Sequence, residues 1–333
     1  MSAIAPTPSH HQRSWFWPLI LIGVGLIWLL RNLEIISSAN ILVLLRLWPL
    51  LLIAAGINVL VAHRNPQWGL WIGAGTVVIA VAIMVVAPNF GIGKLETTTD
   101  QYAEPLGAAT SADVTLELGA GTTVVQALAD SNQLITADIT HVDEVYFSAS
   151  GSTSKSVRLS NNTTSTSFFV TDWASDFSVL RWNIGLTTAI PLSLKINGGV
   201  GDSTFDLSGV KLTGLNFRSG VGNSRLLLPA AEESYSVTAD GGVGDTEIVL
   251  RSGAALNLQI TGGVGSFDLV VPPDVALRLE VTSDLGKVSV PNTYVRVSGD
   301  GDHDGIWTTP NFDTATHKVY VSFKGGLGSL TVH

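Results

Sequence analysis

A phrase built on glycine, glycine, valine and glycine returns through the second half of this chain at almost constant spacing. It reads GGVGDSTFDL from Gly198, SGVGNSRLLL from Ser219, GGVGDTEIVL from Gly241 and GGVGSFDLVV from Gly262. Weaker copies are SDLGKVSV from Ser283, GGLGSLTV from Gly325 and, upstream, LGAGTTVV from Leu118. The second glycine of each G-x-G falls at Gly201, Gly222, Gly244, Gly265, Gly286 and Gly328, in steps of 21, 22, 21, 21 and 42 residues. A fixed period in the twenties predicts a stack of similar units, each too small to bury its own apolar face.

Each unit reads as two short strands joined at the glycine corner. Leu192, Leu194 and Ile196 alternate with polar residues before one corner, and Phe205 and Leu207 continue the alternation after it. Leu215 and Phe217 then Leu226 and Leu228 repeat the pattern, as do Val237 then Ile248 and Leu250, and Leu256, Leu258 and Ile260 then Phe267 and Leu269. Alternation of period two buries one face of a strand. The corner glycines (Gly199, Gly201, Gly220, Gly222, Gly242, Gly244, Gly263, Gly265, Gly286, Gly326 and Gly328) are assigned a structural role, positive φ or close backbone approach. The apolar residue between each pair is expected to plug the interior. The expected β-solenoid-like domain covers 111–333, with loop insertions near 148–167 and 298–311, after a linker over 89–110. An aromatic segment holding Phe168, Phe169, Trp173, Phe177 and Trp182 is expected to cover an end or edge of the stack, with an exposed binding patch as the alternative.

The first third is chemically different. Hydrophobic residues make up 46% of the chain and charged residues 14%, a balance that points to membrane segments. After an N-terminal tail (1–13), a transmembrane region over 14–88 holds three apolar stretches, Trp15–Leu30, Ile41–Ala62 and Trp68–Ala87, of 16, 22 and 20 residues. With flanking residues they give spans at about 15–32, 41–62 and 68–87, near the roughly 17–25 residues a helix needs to cross the bilayer. The first two share a phrase, Trp17-Pro18-Leu19 and Trp48-Pro49-Leu50, which marks helix starts at the interface. On that reading Arg46 lies at the interface.

Charge divides with the halves: net +3 over 1–96 and −12 over 97–333, which together give the −9 of the whole chain. The acidic β half excludes nucleic acid as partner. Orientation stays open, because basic residues near the spans are balanced on both sides; the extracytoplasmic side is the preferred place for the β-domain of this multi-pass protein.

The chain has no cysteine, so disulfides and thiolate metal sites are excluded. A glycine loop that cradles phosphate leads into a helix N-terminus, whereas each G-x-G here leads into a strand. Calcium-binding glycine repeats have period nine rather than 21. Asp300, Asp302 and Asp304 match the start of a calcium loop, but Asn311 stands where a bidentate Glu is needed, so a solvated acidic loop is the preferred reading. The histidines (His10, His11, His63, His141, His303, His317 and His333) are scattered. The column after each corner, Asp202, Asn223, Asp245, Ser266 and Lys287, is mixed and polar, as exposed turns are. No catalytic site and no cofactor are expected.

The paired W-P-L-x-L-I helices resemble the LiaI–LiaF-type transmembrane region, and the stretch from Trp182 through the GGVG coils to Val332 resembles the LiaF-like C-terminal β-domain, or toastrack. LiaF-like proteins typically carry four spans, against three counted here. The resemblance implies a non-enzymatic, membrane-anchored component of the bacterial envelope-stress response. Its partners would be the lipid bilayer and another membrane or envelope protein, such as a sensor histidine kinase or stress-response component, with self-association also open. The alternative is an extracytoplasmic structural or adhesive module that binds envelope polymers.

Overall fold

The computed structural model describes residues 97–128, 132–142, 144–162, 179–282, 287–299 and 304–333, together with four helical positions, Gly75, Val78, Ile79 and Ala82. The three expected spans otherwise lie outside the described residues, as do Gly286, Asp300, Asp302, Phe168, Phe169, Trp173 and Phe177.

The β unit, residues 97–163 and 177–333, is a stack of two-strand coils. In chain order the coils are β2–β3 (Ser111–Glu117, Thr122–Leu128), β6–β7 (Ser154–Asn162, Arg181–Thr187), β8–β9 (Leu192–Asn197, Ser203–Asp206) and β10–β11 (Leu212–Arg218, Ser224–Leu227). There follow β12–β13 (Tyr235–Asp240, Thr246–Val249), β14–β15 (Leu256–Thr261, Val264–Val270), β16–β17 (Ala276–Thr282, Lys287–Ser289) and β20–β21 (Lys318–Lys324, Leu327–Val332). Five further strands flank them: β1 (Thr98–Pro105), β4 (Gln133–His141), β5 (Glu144–Ser150), β18 (Val295–Ser298) and β19 (Gly305–Thr308).

The first strand of each coil enters one sheet and the second strand enters the other. The sheets run β18-β19-β16-β20-β14-β12-β10-β8-β2-β6-β5 and β1-β4-β7-β3-β9-β11-β13-β15-β21-β17. Neighbouring coils pair in parallel and in register: Leu215 faces Leu194 on one side and Val237 on the other, and Leu226 faces Phe205 and Ile248. Register is enforced because a slip of one residue would turn every buried side chain outward. The apolar sets of both sheets meet in one core, with the Phe205 and Phe217 rings edge to face at 5.1 Å and Phe267 and Phe323 at 5.9 Å.

Four expectations need revision. The valines between the glycines do not plug the interior: Val221, Val243 and Val264 are 50–52% exposed and Leu327 is 60% exposed. The alternation changes phase at the corner, where the glycines press on the carbonyls of the neighbouring coil and the residue between them turns outward. Residues 148–162 form strands, not a loop. Ser148–Ser150 ends β5, Gly151 (φ 88°) turns the chain, and β6 pairs antiparallel with β5 and parallel with β2. The Ser/Asn-rich composition hid the alternation of Val157 and Leu159, both at most 1% exposed. Likewise β19 lies within the expected insertion at 298–311, and β1 lies within the expected linker.

The stacking order departs from chain order. The coil of Gly328, not that of Gly286, stacks on the coil of Gly265: Gly265 faces Gly328, and β15 pairs with β21. The C-terminal coil thus lies between two coils consecutive in sequence.

Candidate interaction surfaces

The corner backbone forms a hydrogen-bonded ladder of its own. Gly201 N–H donates to Val221 O at 2.8 Å, Val221 N–H to Gly199 O at 2.9 Å, and the pattern repeats from Gly222 to Val243 and from Val243 to Gly220. A side chain at these glycines would have no room. A Cβ on Gly222 would lie 2.5 Å from Gly201 O, and Gly201, Gly222, Gly244 and Gly265 all have φ between 127° and 136°. Glycine is required here by both approach and conformation.

Beside the corner runs a second ladder, made of side chains. Asp202 Oδ1 accepts from Asn223 N–H at 3.0 Å, Asn223 Oδ1 from Asp245 N–H at 3.4 Å, and Asp245 Oδ1 from Ser266 N–H at 2.9 Å. The column read as solvated turns therefore stitches each coil to the next. The Ser266 backbone amide, with its side chain adding to the effect, holds the Asp245 carboxyl below the usual carboxylate range.

A depressed folded-state pKa stabilises the fold above the unfolded value, near 3.9, and that contribution is lost as pH falls through the folded value. Asp245→Asn should therefore lower the thermal midpoint slightly at pH 6, and the gap should shrink as pH falls below the unfolded value. Solvent screening keeps the effect below ~1 kcal/mol. Thermal melts of both proteins across that pH range check it; a gap that widens in acid would contradict the ladder.

Two surfaces flank the corner. The exposed Val221, Val243, Val264 and Leu327 form one apolar ridge along the stack. The outer face of the β9–β11–β13–β15 sheet carries an open groove of about 440 Å³, lined by Asp202, Thr204, Arg225, Asp245, Glu247 and Asp268 among others. Its polar groups engage one another: Arg225 Nη1 lies 2.8 Å from Glu247 Oε2, and His333 Nε2 lies 3.6 Å from Asp268 Oδ1. These contacts sit on the outward row Thr204–Arg225–Glu247–Asp268, one residue per coil.

Several other polar residues of the described region play local roles. Of the calcium-loop candidates only Asp304 is described; it is exposed, and its backbone carbonyl accepts from Arg296 at 2.9 Å. Among the described residues no group of three His, Asp or Glu could hold a metal ion. His141 is buried on β4, with Nε2 3.1 Å from Asp100 Oδ2, and Tyr102 O–H donates to the same carboxylate at 3.2 Å. Lys155, 8% exposed, bonds to Glu104 and donates to Pro105 O at 2.6 Å, tying β6 to β1. Alternation alone would place Lys155 on the core side of β6, beside Val157 and Leu159, but nothing in the sequence identifies Glu104 as its partner.

Trp182, expected at an end or edge, is instead wholly buried in β7 between β4 and β3, and its indole N–H donates to Ala120 O at 3.2 Å.

Comparison with known proteins agrees with the two-part organisation. Residues 92–249 match the family described as the N-terminal domain of toast_rack, and residues 15–60 match the LiaI-LiaF-like transmembrane region. A proposed cell adhesion protein from Clostridium sporogenes is 17% identical with a TM-score of 0.49, covering 71% of this chain and 99% of its own. A proposed adhesin from Bacteroides fragilis is 14% identical with a TM-score of 0.30, covering 72% and 98% respectively. No curated protein matches the chain. The chain thus carries a segment similar to the LiaI-LiaF-like transmembrane region ahead of one similar to the N-terminal domain of toast_rack.

Proposed function

We propose that this chain is a non-enzymatic regulatory or scaffold protein of the bacterial cell envelope, held by three helical spans, whose β-domain offers a docking wall to another membrane protein. The observation that carries this reading is the parallel stack of coils, in register along most of its strands. It repeats the same outward positions at each coil, about 4.8 Å apart, over two extended faces. Such a surface binds by many small contacts along its length rather than by enclosing a small molecule. The groove beside the corner is open, and its Arg225–Glu247 pair is already satisfied within the protein. A sensor histidine kinase of the cell-wall stress response is the partner class that the LiaF-like resemblance supplies, with the β-domain outside the cytoplasm.

A photoreactive amino acid placed singly at Thr204, Arg225 or Asp268 on one face, and at Lys195, Thr238 or Gln259 on the other, tests this in cells. The expected result is a discrete adduct with one membrane protein, confined to one face. Uniform, partnerless labelling on both faces would sink the docking reading. A reporter fused after His333 fixes the side of the membrane; a cytoplasmic signal would reject the extracytoplasmic placement.

A further inference from the structure

The C-terminal coil occupies a place that the sequence repeat assigns to another coil. β14–β15 and β16–β17 are consecutive in the chain, and their corner glycines, Gly265 and Gly286, are 21 residues apart, the step that elsewhere separates coils in direct contact. The connection from β15 to β16 is five residues, 271–275, as short as the five residues, 207–211, that join β9 to β10 in the neighbouring coil. Yet β20–β21 lies between them, so this connection crosses two strand spacings, roughly 9.6 Å rather than 4.8 Å.

The register shows that the two flanking coils could meet without it. Val319 faces both Leu256 and Leu277, Val321 faces both Leu258 and Leu279, and Phe323 faces both Ile260 and Val281. In the other sheet Leu330 faces both Phe267 and Val288. Removing the C-terminal coil and closing the gap would therefore set Leu256 on Leu277, Leu258 on Leu279, Ile260 on Val281 and Phe267 on Val288. Leu256, Leu258 and Ile260 would each meet a buried residue, and Phe267 would meet the half-buried Val288, with no change of register. β16 would keep β19 on its far edge.

Synthesis favours that closed arrangement first, because residues 276–289 emerge before residues 318–332 and can pair as soon as they do. The inserted arrangement is favoured at the end. It adds a coil to both sheets and buries Val319, Val321, Phe323, Leu330 and Val332 to 4% exposure or less.

We propose that the β-domain has two in-register stacks, and that the C-terminal coil is an insert that opens the first to make the second. In the earlier stack β14–β15 and β16–β17 are in contact and residues 318–332 are outside both sheets, free to pair elsewhere. In the later stack they are a central coil. This is a conformational device built from the repeat itself, and it does not depend on the partner proposed above.

The absence of cysteine allows a direct test in the full-length chain. Asn257 and Arg278 both face Tyr320, from opposite sides. In the inserted stack they are two strands apart, roughly 9.6 Å, and in the earlier stack they are neighbours at about 4.8 Å. A disulfide needs Cα atoms within about 7 Å. Asn257→Cys with Arg278→Cys should cross-link when oxidant is added early during cell-free synthesis into lipid nanodiscs, and the yield should fall as addition is delayed. Adding Val321→Asp, which opposes burial of β20, should keep the pair cross-linkable at all times. The pair Asn257→Cys with Tyr320→Cys should show the opposite time course. Absence of the 257–278 cross-link both in early pulses and with Val321→Asp would overturn the proposal. So would equal 257–278 cross-linking in early and mature protein, since the coil would then not separate them.

Discussion

Gly220→Ala should destabilise the β-domain far more than any ordinary glycine-to-alanine change. Its φ is not in the left-handed region, so the effect isolates close approach from backbone strain. A Cβ at Gly220 would overlap the Gly199 carbonyl oxygen and lie 2.8 Å from the carbonyl carbons of Gly198 and Gly199. Those atoms belong to the corner ladder, in which Gly199 O accepts from Val221 N–H at 2.9 Å. They cannot retreat without breaking it. The expected loss is roughly 3 kcal/mol or more, among the larger effects single substitutions produce, which for a domain of this size lowers the thermal midpoint by about 6–12 °C. Gly214→Ala is the matched control on the same coil: the nearest atom to its Cβ would be Ser236 O at 3.8 Å. Its midpoint should stay within about 2 °C of the parent, the scale of a surface substitution. Calorimetry of the two variants decides the matter. Equal midpoints would mean that the corner glycines are not packed carbonyl to Cα.

That contrast also marks how far the chain could be read before its structure. The 21-residue step and the alternation of residues such as Leu226 and Ile248 were enough to predict coils, because a period fixes which residues are equivalent. The direction of the residue at each corner was not legible. Val221 is apolar and flanked by glycines, which suits either side, and only the approach of Gly220 to Gly199 turns it outward.

Stacking order escaped for a related reason. The 42-residue step from Gly286 to Gly328 is compatible with a simple series and equally with insertion, and only the pairing of Gly265 with Gly328 separates them. Among the surface residues, Asp202, Asn223 and Asp245 were visible as a column. Their role was not, since each carboxylate or amide acts on the backbone of the following coil rather than on a ligand. The strand Ser154–Asn162 was obscured by polar residues on its solvent face, although its Val157 and Leu159 carried the right period.

Trp182→Ala carries the second large expected effect, and it separates two roles for this side chain. The ring is fully buried, in contact with the coil at Gly119, where an added Cβ would lie 3.0 Å from Trp182 Cζ2, and its N–H satisfies Ala120 O. Truncation removes the largest side chain of the core and leaves that carbonyl without its indole partner. Tryptophan-to-alanine changes in cores cost about 3–5 kcal/mol, the spread reflecting how far the site can collapse. Collapse is restricted here because β7 is held on one side by β4 and on the other by β3, both through continuous ladders. The expected midpoint therefore falls by about 6–20 °C at 2–4 °C per kcal/mol. Trp182→Phe keeps most of the apolar contact and loses the hydrogen bond, so its cost should be nearer 1–3 kcal/mol. If Trp182→Ala melts within 2 °C of the parent, the ring is not part of the core, and the reading of this aromatic segment as an exposed binding patch would regain its claim. A large loss for alanine with a small one for phenylalanine places the indole where the structure has it, inside the first coils of the stack.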